Sequence, residues 1–152
     1  MNKLMLIGET GSGKTTLKQA LSDKEIKYCK TQSLDYSENI LDTPGEYIEN
    51  RRYYNALIIS SVDCDIVCFV QDSTSKRNIF PPNFASIFGK KSIGIITKID
   101  CAGSDIENAE KFLKQAGVEK IFYVDSLSRK GIENLKNIMI KGEQNGEKNS
   151  NS

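Results

Sequence analysis

Gly8-Glu9-Thr10-Gly11-Ser12-Gly13-Lys14-Thr15 carries the pattern Gly-x-x-x-x-Gly-Lys-Thr in full. A polyphosphate needs several backbone N–H groups aimed into one concavity, and glycines permit the close approach and the φ angles that such a nest demands. A helix opening at Lys14 adds the positive end of its dipole at the same point. Lys14 is therefore the expected cation for the β- and γ-phosphates, and Thr15 the expected hydroxyl ligand of Mg2+. Gly8, Glu9, Thr10, Gly11, Ser12, Gly13 and Thr16 complete the cradle. A glycine-rich turn followed by a chance Lys-Thr is the bland alternative. It is disfavoured because the pattern lies between an apolar run and a helical one.

Two further stretches extend this chemistry. Asp42-Thr43-Pro44-Gly45 ends a strand-like run, where a carboxylate can hold Mg2+ and a glycine N–H can meet the γ-phosphate. Taken alone it would pass for a Pro-Gly turn. Thr97-Lys98-Ile99-Asp100 follows a core strand and so falls at the carboxyl edge of an open sheet, where ligands bind. The Asp100 carboxylate can accept from the ring N–H and exocyclic amine of guanine together. Two such bonds at roughly 1.5–3 kcal/mol each would favour guanine over adenine by about 3–6 kcal/mol. Thr97 and Lys98 join Asp100 as expected base contacts, with Ser126 and Leu127 offering backbone N–H groups to the guanine oxygen.

These side chains must be positioned by alternating strands and helices. Leu4-Met5-Leu6-Ile7 is a short apolar run, and Leu17, Ala20 and Leu21 recur at helical spacing after it. Asn39 to Leu41 reads as a weak strand, and apolar residues return at helical intervals from Arg52 to Val62. Ile66 to Val70, Ser92 to Thr97 and Ile121 to Val124 have the β-branched character of strands buried on both faces. A short helical pattern covers Asn83 to Phe88, and a longer one runs from Asp105 to Gln115, stopping at Gly117. Such alternation predicts an α/β fold with right-handed crossovers, a mainly parallel sheet and helices on both faces. The polar stretch from Tyr28 to Tyr36 is expected to be a mobile loop.

Composition narrows the partners. The 152 residues suit one domain, and 38% hydrophobic with 27% charged residues suits an ordinary globular protein. With 21 basic and 20 acidic residues, the net charge of +1 provides no field for nucleic acid or an anionic membrane. No apolar run approaches the roughly 20 residues that span a bilayer, so a cytoplasmic protein is expected. Cys29, Cys64, Cys68 and Cys101 lack paired zinc-ligand spacing, and there is no histidine to complete a mixed site. The domain is expected to span 1–141, with 142–152 a polar, disordered tail.

The order and spacing of these stretches resemble the small GTPase superfamily. Asp42 to Tyr54, with Lys30-Thr31-Gln32, Val70-Gln71-Asp72 and Phe80 to Ser86, resembles the narrower EutP/PduV family. That resemblance implies a Ras-like P-loop sandwich and a role in ethanolamine or propanediol utilisation, near bacterial microcompartments and their shell or pathway proteins. It implies a GTP/GDP-binding, GTPase-like activity, with ATP-dependent phosphorylation of acetate, or a non-catalytic nucleotide-stabilised module, as alternatives. It places Thr31 as the loop threonine that closes on Mg2+. Glu46 falls where Ras-like enzymes orient the attacking water with glutamine, and a carboxylate there should make unaided hydrolysis slow. Thr97 stands where most of these GTPases have asparagine. Arg51 and Arg52 follow as candidates to neutralise transition-state charge, with a solvated helix face as the alternative, and Tyr47, Tyr53, Tyr54, Phe80 and Phe84 as aromatics that could form an effector surface, with core packing the alternative for most of them.

Overall fold

The structure, a computed structural model, describes residues 2–28 and 39–140. Strand β1 (Leu4–Ile7) is buried at every residue and leads through the glycine-rich loop into α1 (Lys14–Tyr28). After β2 (Ile40–Asp42) come a short helix α2 (Glu46–Glu49), a 3-10 turn (Arg51–Tyr53) and α3 (Tyr54–Ser61). Strand β3 (Ile66–Asp72), a second 3-10 turn (Phe84–Ile87), β4 (Lys91–Thr97), α4 (Ile106–Gln115), β5 (Ile121–Tyr123) and a final helix α5 (132–140) follow.

The five strands form one sheet in the order β2-β1-β3-β4-β5, and each neighbouring pair is parallel. Because every strand runs the same way, the loops after β1, β2, β3 and β4 emerge along one edge. The connection from β1 leads to β2 on one side and that from β3 to β4 on the other. Chain direction thus diverges between β1 and β3, the place where open parallel sheets leave a crevice for ligands.

Side-chain alternation along the strands builds a core on each face. Met5, Ile7, Val67, Phe69 and Ile96 pack with Leu57 of α3 and Ala109 and Leu113 of α4. Leu4, Leu6, Cys68, Val70 and Ile95 pack on the opposite face with Leu17 and Leu21 of α1 and Ile132, Leu135 and Met139 of α5. The result is helix, sheet, helix in three layers. The side chain of Asp105 caps α4 by accepting from the Asn108 amide, and Gly117, at φ 96°, turns the chain away after its end. The start of the described region meets α5: the Asn2 amide donates to Met139 O at 2.7 Å, and Asn2 Nδ2 donates to Ile138 O at 3.1 Å.

Three expectations change. The helical pattern from Arg52 to Val62 divides, because the Asn50 side chain accepts from the Arg52 amide and starts a tight turn before α3. The pattern at Asn83 to Phe88 is a 3-10 turn, entered through Asn83 in the left-handed region. Phe80 and Phe84 do not form an effector surface. Both are buried, with Phe84 packed edge-on to Tyr54 and both rings against Phe69.

Candidate functional site

The loop between β1 and α1 has the backbone that its glycines allow. Gly11 and Gly13 take φ of 84° and 101°, a conformation costly for side-chain-bearing residues, and alternation of this kind turns successive amides toward one side. The first-turn amides of α1 have no partner inside the helix and face the same way. Lys14 is buried, and its ammonium arches back over the loop to donate to Gly8 O at 2.8 Å and Glu9 O at 3.2 Å. Burial lowers its pKa, while the charges of Asp42, Glu49 and Glu9 oppose that shift.

Asp42, at the end of β2, is carried to the start of α1. Thr15 Oγ1 donates to Asp42 Oδ2 at 2.8 Å, and Asp42 Oδ1 is buried with no hydrogen-bond partner. A carboxylate oxygen left so, beside a hydroxyl, fits a hard cation with oxygen ligands such as Mg2+. Thr43 fixes the approach of this segment, since its hydroxyl donates to Leu6 O at 2.7 Å. Thr16 is exposed one residue further along α1. Thr31 lies outside the described residues, as does the tail from 142.

The segment after Asp42 lies directly on the loop. A Cβ on Gly45 would stand 2.3 Å from the Thr10 nitrogen, so no other residue fits there without displacement. Glu46 opens α2 and is exposed. Glu49, at the far end of that short helix, makes the contact: its Oε2 accepts from the Thr10 amide at 2.7 Å. That bond is the main reason its carboxyl is held below the usual range, with Arg77 and Lys14 adding to the effect. Arg77 also faces Glu9 at 3.6 Å. Arg51 and Arg52 are exposed on the following turn, with the Arg52 guanidinium over the Tyr53 ring.

At the other end, Thr97, expected as a base contact, is bonded to the loop. It is buried, and its hydroxyl donates to Ser12 O at 2.6 Å, so its single hydrogen is directed at the loop. Lys98, left-handed at φ 59°, donates to Gly11 O at 2.8 Å and to Asp72 Oδ2 at 2.8 Å. Burial would raise the Asp72 carboxyl, but hydrogen bonds from Lys98 and Thr74 outweigh it and hold the pKa below the ordinary value. Asp100 is exposed and pairs with Lys130 at 3.3 Å. Lys130 is brought there by a turn in which the buried Asp125 accepts from the Ser128 amide and donates its own to Lys130 O. Ser126 and Leu127 form the tip of that turn, Leu127 being 86% exposed.

The structure therefore gathers Lys14, Thr15, Asp42 and Gly45 around the loop and joins Thr97 and Lys98 to it. It leaves Asp100 beside the turn bearing Ser126 and Leu127. Glu49 and Asp72 complete the set. Asp72 follows Val70-Gln71 at the end of a core strand, where a carboxylate signals an edge function, whereas no local pattern marks Glu49.

Residues 1–141 match the PduV-EutP family, described as ethanolamine utilisation and propanediol utilisation. The chain is 37% identical to the propanediol utilization protein PduV of Citrobacter freundii over 89% of this chain and 91% of that one. It is 30% identical to a protein named probable acetate kinase EutP of Escherichia coli (strain K12), over 100% of this chain and 99% of that one. Among solved structures, the FeoB G-domain of Methanococcus jannaschii superposes with a TM-score of 0.59 at 21% identity, covering 90% of this chain and 94% of that one. The cytosolic domain of the T. maritima FeoB iron transporter in its GMPPNP form gives 0.58 at 20% identity, covering 93% and 63%. The fold is that of a G-domain. Among the described residues, no helix is long and apolar enough to cross a membrane.

Proposed function

The chain belongs to the PduV-EutP family, and from that premise we propose that it is a Mg2+-dependent purine nucleotide-binding protein, a slow GTPase or GTP-dependent switch serving ethanolamine or propanediol utilisation. One observation carries this reading: Lys14 closes a nest of amides at the head of a helix, next to a Thr15–Asp42 pair whose second carboxylate oxygen has no partner. Lys14 grips the β- and γ-phosphates, and the amides from Thr10 to Thr16 with that of Gly45 line the phosphate path. Thr15 and Asp42 would hold Mg2+, joined by Thr31 of the undescribed segment; the ion, when bound, neutralises phosphate charge. Asp100 reads guanine, while Ser126 and Leu127 present amides to it. Glu46 stands where the water would be oriented and, being anionic, slows hydrolysis. Pathway or microcompartment shell proteins are the partners that the family suggests.

Calorimetric titration of nucleotide-free protein with GTP, GDP, ATP and ADP, with and without Mg2+, tests this. Guanine nucleotides should bind preferentially and Lys14→Ala should abolish binding; unchanged affinity in that variant would overturn the assignment. A second reading, transfer of the γ-phosphoryl group from ATP to a small carboxylate, draws on the name carried by the Escherichia coli relative. It draws also on the fact that a carboxylate sits on the Thr10 amide. Acetyl phosphate formed by wild type and lost in Lys14→Ala would favour it, and no product would dismiss it.

A further inference from the structure

The contact between Glu49 and the phosphate loop bears on which nucleotide the site prefers. Resting on the phosphate-site reading, the two ends of the ligand are marked: Asp100 with Lys130 at the base end, and Thr15 with Asp42 at the metal end. Thr10 faces the segment that runs on from Asp42, so its amide serves the end of the loop that meets the last phosphate. That N–H is engaged by the Glu49 carboxylate at 2.7 Å, and Gly45 presses on the same residue. One N–H cannot serve the carboxylate and a phosphate oxygen equally, and two anions drawn to it repel each other.

We propose that Glu49 is a specificity-determining residue, an internal anion that competes with the terminal phosphate for the Thr10 amide and so biases the site toward diphosphate. A diphosphate ends short of Thr10 and leaves the contact intact. A triphosphate displaces Glu49, and with it α2, whose Tyr47 ring stacks on Tyr53 at 5.0 Å. The bias is thereby linked to the position of the whole Gly45–Tyr53 segment. Glu49 is exposed and contributes no side chain to either apolar core, so its replacement should leave the fold in place.

The test is calorimetric titration of wild type, Glu49→Ala and Glu49→Gln with GDP and with a non-hydrolysable GTP analogue, both with Mg2+. Circular dichroism verifies the fold of each. In Glu49→Ala the analogue should bind about tenfold more tightly while GDP changes less than about twofold, and Glu49→Gln should shift in the same direction. If both nucleotides bind but their ratio is unchanged, or falls, the competition is refuted while the phosphate site stands. If neither nucleotide binds wild type or the variants, the phosphate site is refuted and the competition with it.

Discussion

Replacement of Thr97 by valine isolates the hydroxyl that fastens the phosphate loop to β4. The shape is nearly kept, but the donor to Ser12 O at 2.6 Å is lost at a position only 2% exposed. Leaving a buried carbonyl unpaired costs about 1–3 kcal/mol, a sizeable part of the roughly 5–15 kcal/mol that holds a domain together. The urea midpoint should fall by that amount divided by the slope, with the slope itself unchanged. Thr97→Ser is the control, since it keeps the donor and removes a methyl whose carbon lies 3.6 Å from the Cβ position of Gly13; a lost buried methyl alone costs roughly 1 kcal/mol. Stability therefore drops in both variants, and nucleotide titration separates them. Valine loosens the loop and should weaken GTP binding about tenfold, whereas serine should stay within about threefold of wild type. Equal affinities in the two variants would refute the view that the hydroxyl positions the loop.

Asp72 gives a pH-dependent prediction. Its folded pKa lies below the ordinary 3.8, so its contribution is complete above that value and is lost as pH falls through the lower folded one. The stability difference between wild type and Asp72→Asn should stay level from pH 8 to about 5 and shrink below 3.8; a difference that grows in acid would contradict the Lys98 contact. Asp42→Asn should abolish the Mg2+ dependence of nucleotide affinity while binding without Mg2+ changes less than about threefold, measured by titration with and without the ion. Gly45→Ala places a methyl 2.3 Å from the Thr10 nitrogen and must lift the segment, so exchange of the Thr10 amide with deuterium should quicken; unchanged protection would show that the contact is not closed in solution.

The strand, loop and helix around Gly8 to Thr15 were legible because glycine spacing and side-chain periodicity are local properties, and they coincide there. Asp42 was legible for a similar reason, at the end of an apolar run. Thr97 was placed at the right edge, but its spacing from Lys98 and Asp100 says nothing of where one hydroxyl hydrogen goes; that depends on Ser12, 85 residues away. Glu49 was missed because its partner is Thr10, 39 residues earlier, and only the folding of a short helix back onto the loop brings the two together. Phe80 and Phe84 suggested a surface because aromatics after a core strand can face either way, and the space above Phe69 determined that they face in.

The meeting of Asn2 with Ile138 and Met139 also constrains the order of assembly. β1 precedes every element that seals it: β3 on one side, β2 on the other, and α1 with α5 above, α5 being the last of these in chain order. Until α5 has formed, Leu4 and Leu6 are covered on that face by Leu17 and Leu21 of α1 alone, so the sheet can close before its second layer does. The loop between β1 and α1 therefore rests on a layer that is completed only by α5, the helix most distant from it in sequence.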